Sequence, residues 1–370
     1  MELSYWEYKT WLSNIDYTIV GSGIVGLNTA LFLRARFPQA KILILEKGVL
    51  PQGASTKNAG FACFGSISEV LMDLKTHSEE EVVELVAQRF KGIQLLRETL
   101  GDANIGFQQL GGNELFLKKH KVLFEKCEAS LSRVNNMLEP IFGKTVFKVT
   151  PNTFGFQDSN PKLITHMEEA QIDTGRMMDS LLYTVRNKGI AMLNSVEVQG
   201  FEEVGNKVAV KTNRFEFKTN KLLIATNGFA PRLLHEKVKP ARAQVLITRP
   251  IQNPTIKGTF HFDEGYYYFR NIDDRILFGG GRNLAFKTEE TDSFGQTKRI
   301  QNELERLLRQ VILPNTPFEI ERRWSGIMGI GSQKKQIVKQ LSNHVYCGVR
   351  LGGMGIAIGS SVGKELADLV

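Results

Sequence analysis

A parallel α/β sheet interrupted by long antiparallel β segments is the fold this sequence predicts. Three observations carry it. Residues 15–46 read as strand, glycine turn, helix and strand. Further glycine-rich or small-residue segments lie far apart along the chain. Between them, from about 241 to 283, strand signals dominate.

The first unit is the most informative. The strand Ile15-Asp16-Tyr17-Thr18-Ile19-Val20 runs into Gly21-Ser22-Gly23-Ile24-Val25-Gly26, and Lys41-Ile42-Leu43-Ile44-Leu45-Glu46 forms a second strand. This is the plan of a dinucleotide-binding βαβ unit. Gly21 permits the tight turn, Gly23 lets the backbone approach a pyrophosphate, and Gly26 seats the helix on the sheet. The helix expected over 24–37 aims free N–H groups and its positive dipole end at the phosphates. Ile24 and Val25 are therefore candidate contacts. Glu46 ends the second strand, where a carboxylate accepts hydrogen bonds from ribose hydroxyls, and Lys47 follows it.

The later elements follow in order. A small-residue loop, Gly53-Ala54-Ser55-Thr56-Lys57-Asn58-Ala59-Gly60, comes next. Residues 78–100 carry helical periodicity through Val82, Val83, Leu85, Val86, Phe90, Ile93 and Leu96. Residues 106–117 read as strand, turn, strand, and 120–138 as a helix. Asp173 or Thr174 starts a helix with Met177, Leu181, Leu182 and Val185 on one stripe. A strand over 190–193 and a hairpin over 196–219 precede the buried-looking strand 221–225, which leads into Thr226-Asn227-Gly228. Strands are expected over 244–248, 258–262, 266–270 and 275–279, then a helix over 294–311. A strand over 344–348, a glycine-rich turn and a helix from about Ser361 close the chain. One domain is thus expected from 1–75, 165–235 and 325–370, interleaved with an antiparallel-sheet substrate domain from 76–164 and 236–324.

Composition narrows the class. The 370 residues are 42% hydrophobic and 23% charged, which is globular. No apolar run is long enough to span a membrane. The first twelve residues lack the pattern of a secretory signal and are expected to form an amphipathic packing segment. Cys63, Cys127 and Cys347 show no metal-ligand or disulfide spacing, which fits a reducing cytoplasm and no metal. The net charge of +8 is spread along the chain. It argues for a solvated basic surface rather than nucleic-acid binding, and leaves a peripheral position at an anionic membrane surface open.

Four separated small-residue segments need one explanation: 21–26, 53–60, Ala225-Thr226-Asn227-Gly228, and Gly348-Val349-Arg350-Leu351-Gly352-Gly353-Met354-Gly355. An NAD site needs mainly the first. FAD, lying extended from adenine to isoalloxazine, needs close backbone approach at several. On these residues the chain resembles the FAD-dependent oxidoreductases of the D-amino-acid oxidase type, which include glycine oxidase, sarcosine oxidase and γ-glutamylputrescine oxidase. The resemblance covers nearly the whole chain. Gly53–Gly60 is similar to the G-A-S-x-x-N-x-G segment that lines the flavin in the γ-glutamylputrescine oxidase-like branch. Pro240-Ala241-Arg242-Ala243-Gln244-Val245 resembles the family's P-x-R-G-Q-V lead into the substrate sheet, and Trp324-Ser325-Gly326 its W-x-G turn.

The resemblance implies a Rossmann-like FAD-binding domain with noncovalent FAD, since no cysteine follows Gly348. It implies cofactor contacts from Ser55, Thr56, Asn58 and their loop, from Val196 against adenine, from Ala225, Thr226 and Gly228, and from Arg350, Gly352, Gly353, Met354, Gly355 and Ile356. On the substrate side, strand alternation puts Tyr266, Tyr268 and Arg270 on one face, where the arginine can grip a carboxylate. His261 is the remaining candidate. Met328 stands where glycine-oxidase-like members carry an arginine, and no lysine occurs over 276–280, where sarcosine oxidases carry one for oxygen activation. The implied activity is oxidation of an amine or amino acid by hydride transfer to the flavin. The acceptor is oxygen or a quinone-type molecule. A 2-hydroxy-acid or glycerol-3-phosphate-type dehydrogenase, with His261 as base, and a flavoprotein modifying RNA nucleosides are the alternatives.

Overall fold

The computed structural model describes residues 2–370; Met1, the first residue of the expected 1–75 segment, lies outside the described residues. Two large sheets divide the chain between them. The first contains, in spatial order, Ile337–Gln340, Val345–Val349, Glu216–Ile224, Ile15–Val20, Ile42–Glu46 and Ala191–Asn194. Its pairs are parallel except at the edge strand Ile337–Gln340. Ile42–Glu46 is buried throughout, the signature of a strand covered on both faces.

The hairpin Val198–Val204 and Lys207–Thr212 hangs from this sheet by pairing with residues 216–219. The end of the hairpin expected over 196–219 and the strand expected over 221–225 are therefore one strand, Glu216–Ile224. Its first half alternates in burial, as a half-solvated hairpin strand does, and its end is continuously buried. The change of pattern reads as a break in sequence but is a change of environment along one strand.

Helices Ile24–Arg36, Glu79–Leu100 and Gly355–Asp368 pack on one another beside this sheet. Ser78 caps the second with a capping box. The last helix begins at Gly355, not near 361, because its glycines serve contact rather than turning. A Cβ on Gly359 would meet Ile24 at 2.5 Å, and one on Gly363 would meet Asn28 at 2.7 Å. Helix Glu79–Leu100, expected in the substrate segment, belongs with these helices: a Cβ on Gly92 would lie 2.0 Å from the Ala357 carbonyl.

The second sheet runs Ile320–Ile330, Lys239–Thr248, Arg275–Gly280, Tyr267–Ile272, Thr259–Phe262, Gly112–Glu114, Lys162–His166 and Phe147–Pro151. It is antiparallel except where Thr259–Phe262 pairs in parallel with Gly112–Glu114. That short strand is all that forms of the strand-turn-strand expected over 106–117. Phe260 and Phe269 stack at 4.7 Å on the face covered by helix Lys298–Leu307, the central portion of the helix expected over 294–311. The Trp324-Ser325-Gly326 segment is not a turn. It lies inside the strand Ile320–Ile330, paired along its length with Lys239–Thr248. Strands Lys162–His166 and Ile320–Ile330 run across the expected domain boundaries at 164/165 and 324/325.

The N-terminal segment differs most from expectation. Leu12 is buried and Leu3 packs partly buried against the same core, whereas Tyr5, Trp6, Tyr8 and Trp11 are exposed. Among the described residues, no helix is long and apolar enough to cross a membrane.

Candidate active site

One cavity of about 650 Å³ runs from the carboxyl ends of the parallel strands to the underside of the second sheet. All four small-residue segments contribute to its walls, although they lie far apart along the chain. Gly21, Gly23, Ile24, Val25, Glu46, Lys47, Val196, Ala225 and Thr226 line it. So do Gly53, Ala54, Ser55, Asn58, Ala59 and Gly60, and from the C-terminal segment Gly352, Gly353, Met354, Gly355 and Ile356.

The walls are built for close backbone approach. Gly21 has a φ of +102°, and a Cβ there would meet the Ala225 carbonyl at 2.9 Å. Gly26 is not in the wall; its missing Cβ is what lets the helix sit against the turn, since one would lie 2.0 Å from the Gly21 carbonyl oxygen. Gly228 does the same behind the wall, where a Cβ would lie 2.6 Å from the Met328 carbonyl oxygen.

Side chains then fix the loops. Glu46 is 5% exposed. Its carboxylate accepts from the Ser22 N–H at 3.1 Å, the Ser22 hydroxyl at 2.8 Å and the Gly48 N–H at 2.9 Å. The Ser55 hydroxyl accepts from the Ile24 N–H at 2.9 Å, tying the second loop to the first helix. Asn58 donates to the Ser55 carbonyl and accepts from the Gly60 N–H and the Thr174 hydroxyl. Thr56 lies behind the wall, its hydroxyl bonded to the Pro51 carbonyl at 2.7 Å, which is turn chemistry. Asn227, which lies in one of the four small-residue segments but was not expected as a contact, holds the C-terminal segment by accepting from the Arg350 and Leu351 N–H groups at 3.1 Å. Arg350 itself turns away from the cavity to the Lys335 carbonyl.

Beyond the glycine segments the cavity changes character. Phe61, His261, Tyr266, Tyr268, Arg282 and Met328 form its far end. Phe61 stands edge-on to both His261 and Tyr268, at 5.0 and 5.7 Å. Burial pushes the Tyr268 phenol up to about 12, so it stays protonated. Burial also pushes the Cys63 thiol up, which keeps this wall residue unreactive.

Arg270 does not reach the cavity. Its guanidinium donates to the Gly60 carbonyl at 3.0 Å and the Ile172 carbonyl at 2.6 Å, pinning the loop from behind. The expectation that it grips a substrate carboxylate is corrected by this placement: alternation along the strand set the face, but the loop covers that face at Arg270. The cavity-lining cations are instead on other segments. Arg89 is turned to the Phe64 carbonyl, and Lys334 pairs with Asp73 at 2.6 Å. Arg282 lies over the Phe286 ring at 4.8 Å, with no carboxylate paired to it among the described residues. Periodicity gave no signal for Arg282, because it sits in the irregular turn after Arg275–Gly280.

The family model for FAD dependent oxidoreductases matches residues 16–369. The chain belongs to this family. Its flavin cofactor is therefore FAD, and the backbone cradle and capped loops described above fit an extended dinucleotide. The solved structures similar to this oxidoreductase include L-proline dehydrogenase from P. horikoshii, with a TM-score of 0.75 at 18% identity, covering 96% of this chain and 93% of that one. Glycine oxidase from Geobacillus kaustophilus gives 0.75 at 19%, covering 96% and 94%. Iminodiacetate oxidase from Chelativorans sp. BNC1 gives 0.74 at 18%, covering 95% and 94%. At such identities the likeness shows a shared fold. No curated protein matches the sequence.

Proposed function

We propose that this oxidoreductase oxidises the C–N bond of an amine or amino acid, giving an imine that water hydrolyses. The observation that carries the reading is the aromatic chamber continuous with the glycine-lined end of the cavity. Bound FAD supplies a hydride acceptor. The chain supplies position, exclusion of water and charge complementarity. Phe61, Tyr266, Tyr268 and Met328 give the chamber an apolar wall that confines a small substrate. The Tyr268 phenol stays a donor at every working pH. Arg282 offers a cation to a substrate carboxylate in the place expected of Arg270. The names of the similar structures, which act on proline, glycine and iminodiacetate, support a small amino acid or amine. Oxygen or a quinone-type molecule then takes the electrons.

A second reading is kept open by one observation: His261 lines the chamber, where it can serve as base for a 2-hydroxy acid. The visible spectrum of the FAD-loaded protein separates the two. Under anaerobic conditions, amines or amino acids are expected to bleach the flavin band. Bleaching by 2-hydroxy acids alone overturns the proposal in favour of the second reading.

A further inference from the structure

His261 sits in an unusual electrostatic setting, and the reaction proposed above leaves it without a task. It is 8% exposed, its ring lines the cavity, and Nε2 has no hydrogen-bond partner among the described residues. Groups on several elements face it. From helix Ile67–Asp73 comes Glu69, also in the cavity wall. From the neighbouring strand Gly112–Glu114 comes Glu114, directly opposite in register. From the turn after Lys162–His166 comes Glu169, bonded to the Phe64 and Gly65 N–H groups. Tyr268 faces it across the hairpin. Cys63, Arg89 and Lys334 complete the surroundings.

The charges among these groups are not equivalent. Burial keeps Glu114 protonated up to about 7 and raises Glu169. Glu69 is different. Burial raises it, but His261, the Ser66 N–H, Lys334 and Arg89 together hold it below the ordinary value. It is also the one carboxylate of the three that lines the cavity, where a substrate can reach it. The two cations near it are occupied elsewhere, Lys334 by Asp73 and Arg89 by the Phe64 carbonyl. Gly265 is pressed on Glu69, where a Cβ would come within 2.9 Å of its carboxyl carbon, so the carboxylate has little room to swing away.

Hydride loss from a carbon next to nitrogen requires a neutral amine, whereas amines arrive in water as ammonium ions. We propose that Glu69 receives the substrate ammonium and that His261 takes its proton. The N–H bond breaks, the proton moves to an imidazole nitrogen, and the electron pair stays on the substrate nitrogen. Water later removes the proton. This inference rests on the proposed amine chemistry and assigns the proton path within it.

The test uses the FAD-loaded protein and two variants, His261→Asn and Glu69→Gln. Glutamine keeps the capping-box acceptor for the Ser66 N–H, so the second variant is expected to fold even if the first does not. Two readouts are needed. In the first, the pH profile of anaerobic flavin reduction is measured with an amine or amino acid that bleaches the wild type. In His261→Asn the acid limb moves up by about one pH unit or more, towards that of the free amine, whereas in Glu69→Gln it moves down, because the bound ammonium loses its carboxylate. A merely structural role lowers the whole profile without moving the limb. The second readout is binding, using 2-aminoisobutyrate and tert-butylamine, which have no hydrogen on the carbon next to nitrogen. Glu69→Gln weakens the spectral titration by about tenfold. Unmoved limbs, or binding that is absent in the wild type or indifferent to Glu69, overturn the proposal. If no amine bleaches the flavin yet these probes bind in a Glu69-dependent way, the amine-oxidation reading fails and the ammonium site stands.

Discussion

The two ends of the cavity are made from different materials. At the glycine-lined end the wall is mostly backbone, and what matters is where a Cβ is missing. At the aromatic end, where we place the substrate, the wall is side chains, carried in by strands, turns and a helix from distant stretches of the chain. The first kind of site tolerates little change in shape. The second tolerates change in shape but is sensitive to charge. Each end should therefore fail in its own way when it is altered.

The largest effect is expected at Gly26, which does not touch the cavity at all. An alanine there puts a Cβ against the Gly21 carbonyl and pushes the first turn out of place. FAD affinity is expected to fall about a hundredfold, read by quenching of flavin fluorescence during titration. Wild-type affinity in Gly26→Ala would mean that the turn is not shaped by helix packing, and the contrast between the ends would lose its basis.

Arg270 sharpens the comparison from the other side. It lies on a substrate-sheet strand yet serves the cofactor loop. Replacing it with methionine leaves the buried Ile172 carbonyl without its donor, while the Gly60 carbonyl keeps the Ile172 N–H, at a cost of about 1–3 kcal/mol in unfolding free energy. Substrate affinity at full FAD occupancy is expected to stay put. A selective loss of affinity for carboxylate substrates, with stability intact, would return Arg270 to the role that its place in the sequence suggested.

The smallest effect concerns Glu114, under the floor of the substrate end. Burial raises its carboxyl from an ordinary value of 4.5 to about 7 in the folded chain. Between those values the native state binds more protons than the unfolded state, so this group's contribution is present at low pH and is lost as pH rises through about 7. Glu114→Gln is expected to flatten the fall in stability by about 1–3 kcal/mol between about pH 5 and about pH 8, measured by urea unfolding. An equally steep fall in the variant would place the titrating group elsewhere.

The same division explains what was legible in the sequence. Glycines at fixed spacing after a strand report a backbone task, so the 21–26 turn, the 53–60 loop and the C-terminal segment could be read from local order. Within those segments sequence could not separate wall from support. Thr56, Gly228 and Arg350 were expected beside the cofactor, yet each works one layer behind the cavity wall. Side-chain sites depend on register between strands and on irregular turns. Glu69 hides in a capping box, and Arg282 in a three-residue turn, and neither carries a periodic signal. His261 was visible as a residue but not as the centre of a carboxylate cluster, because Glu69, Glu114 and Glu169 reach it from three separate segments.

The chain passes back and forth between the two sheets before either is finished. The central strand Glu216–Ile224 gains its neighbour Val345–Val349 only more than 100 residues later, and the helix Gly355–Asp368 follows that. A growing chain therefore completes neither sheet early: Glu216–Ile224 waits for Val345–Val349, and Lys239–Thr248 waits for Ile320–Ile330, each with an unpaired edge. No single cut can release either half as a contiguous piece. Removing the helix Gly355–Asp368 would uncover the helices at Ile24–Arg36 and Glu79–Leu100 together, so this one element acts as the latch for both.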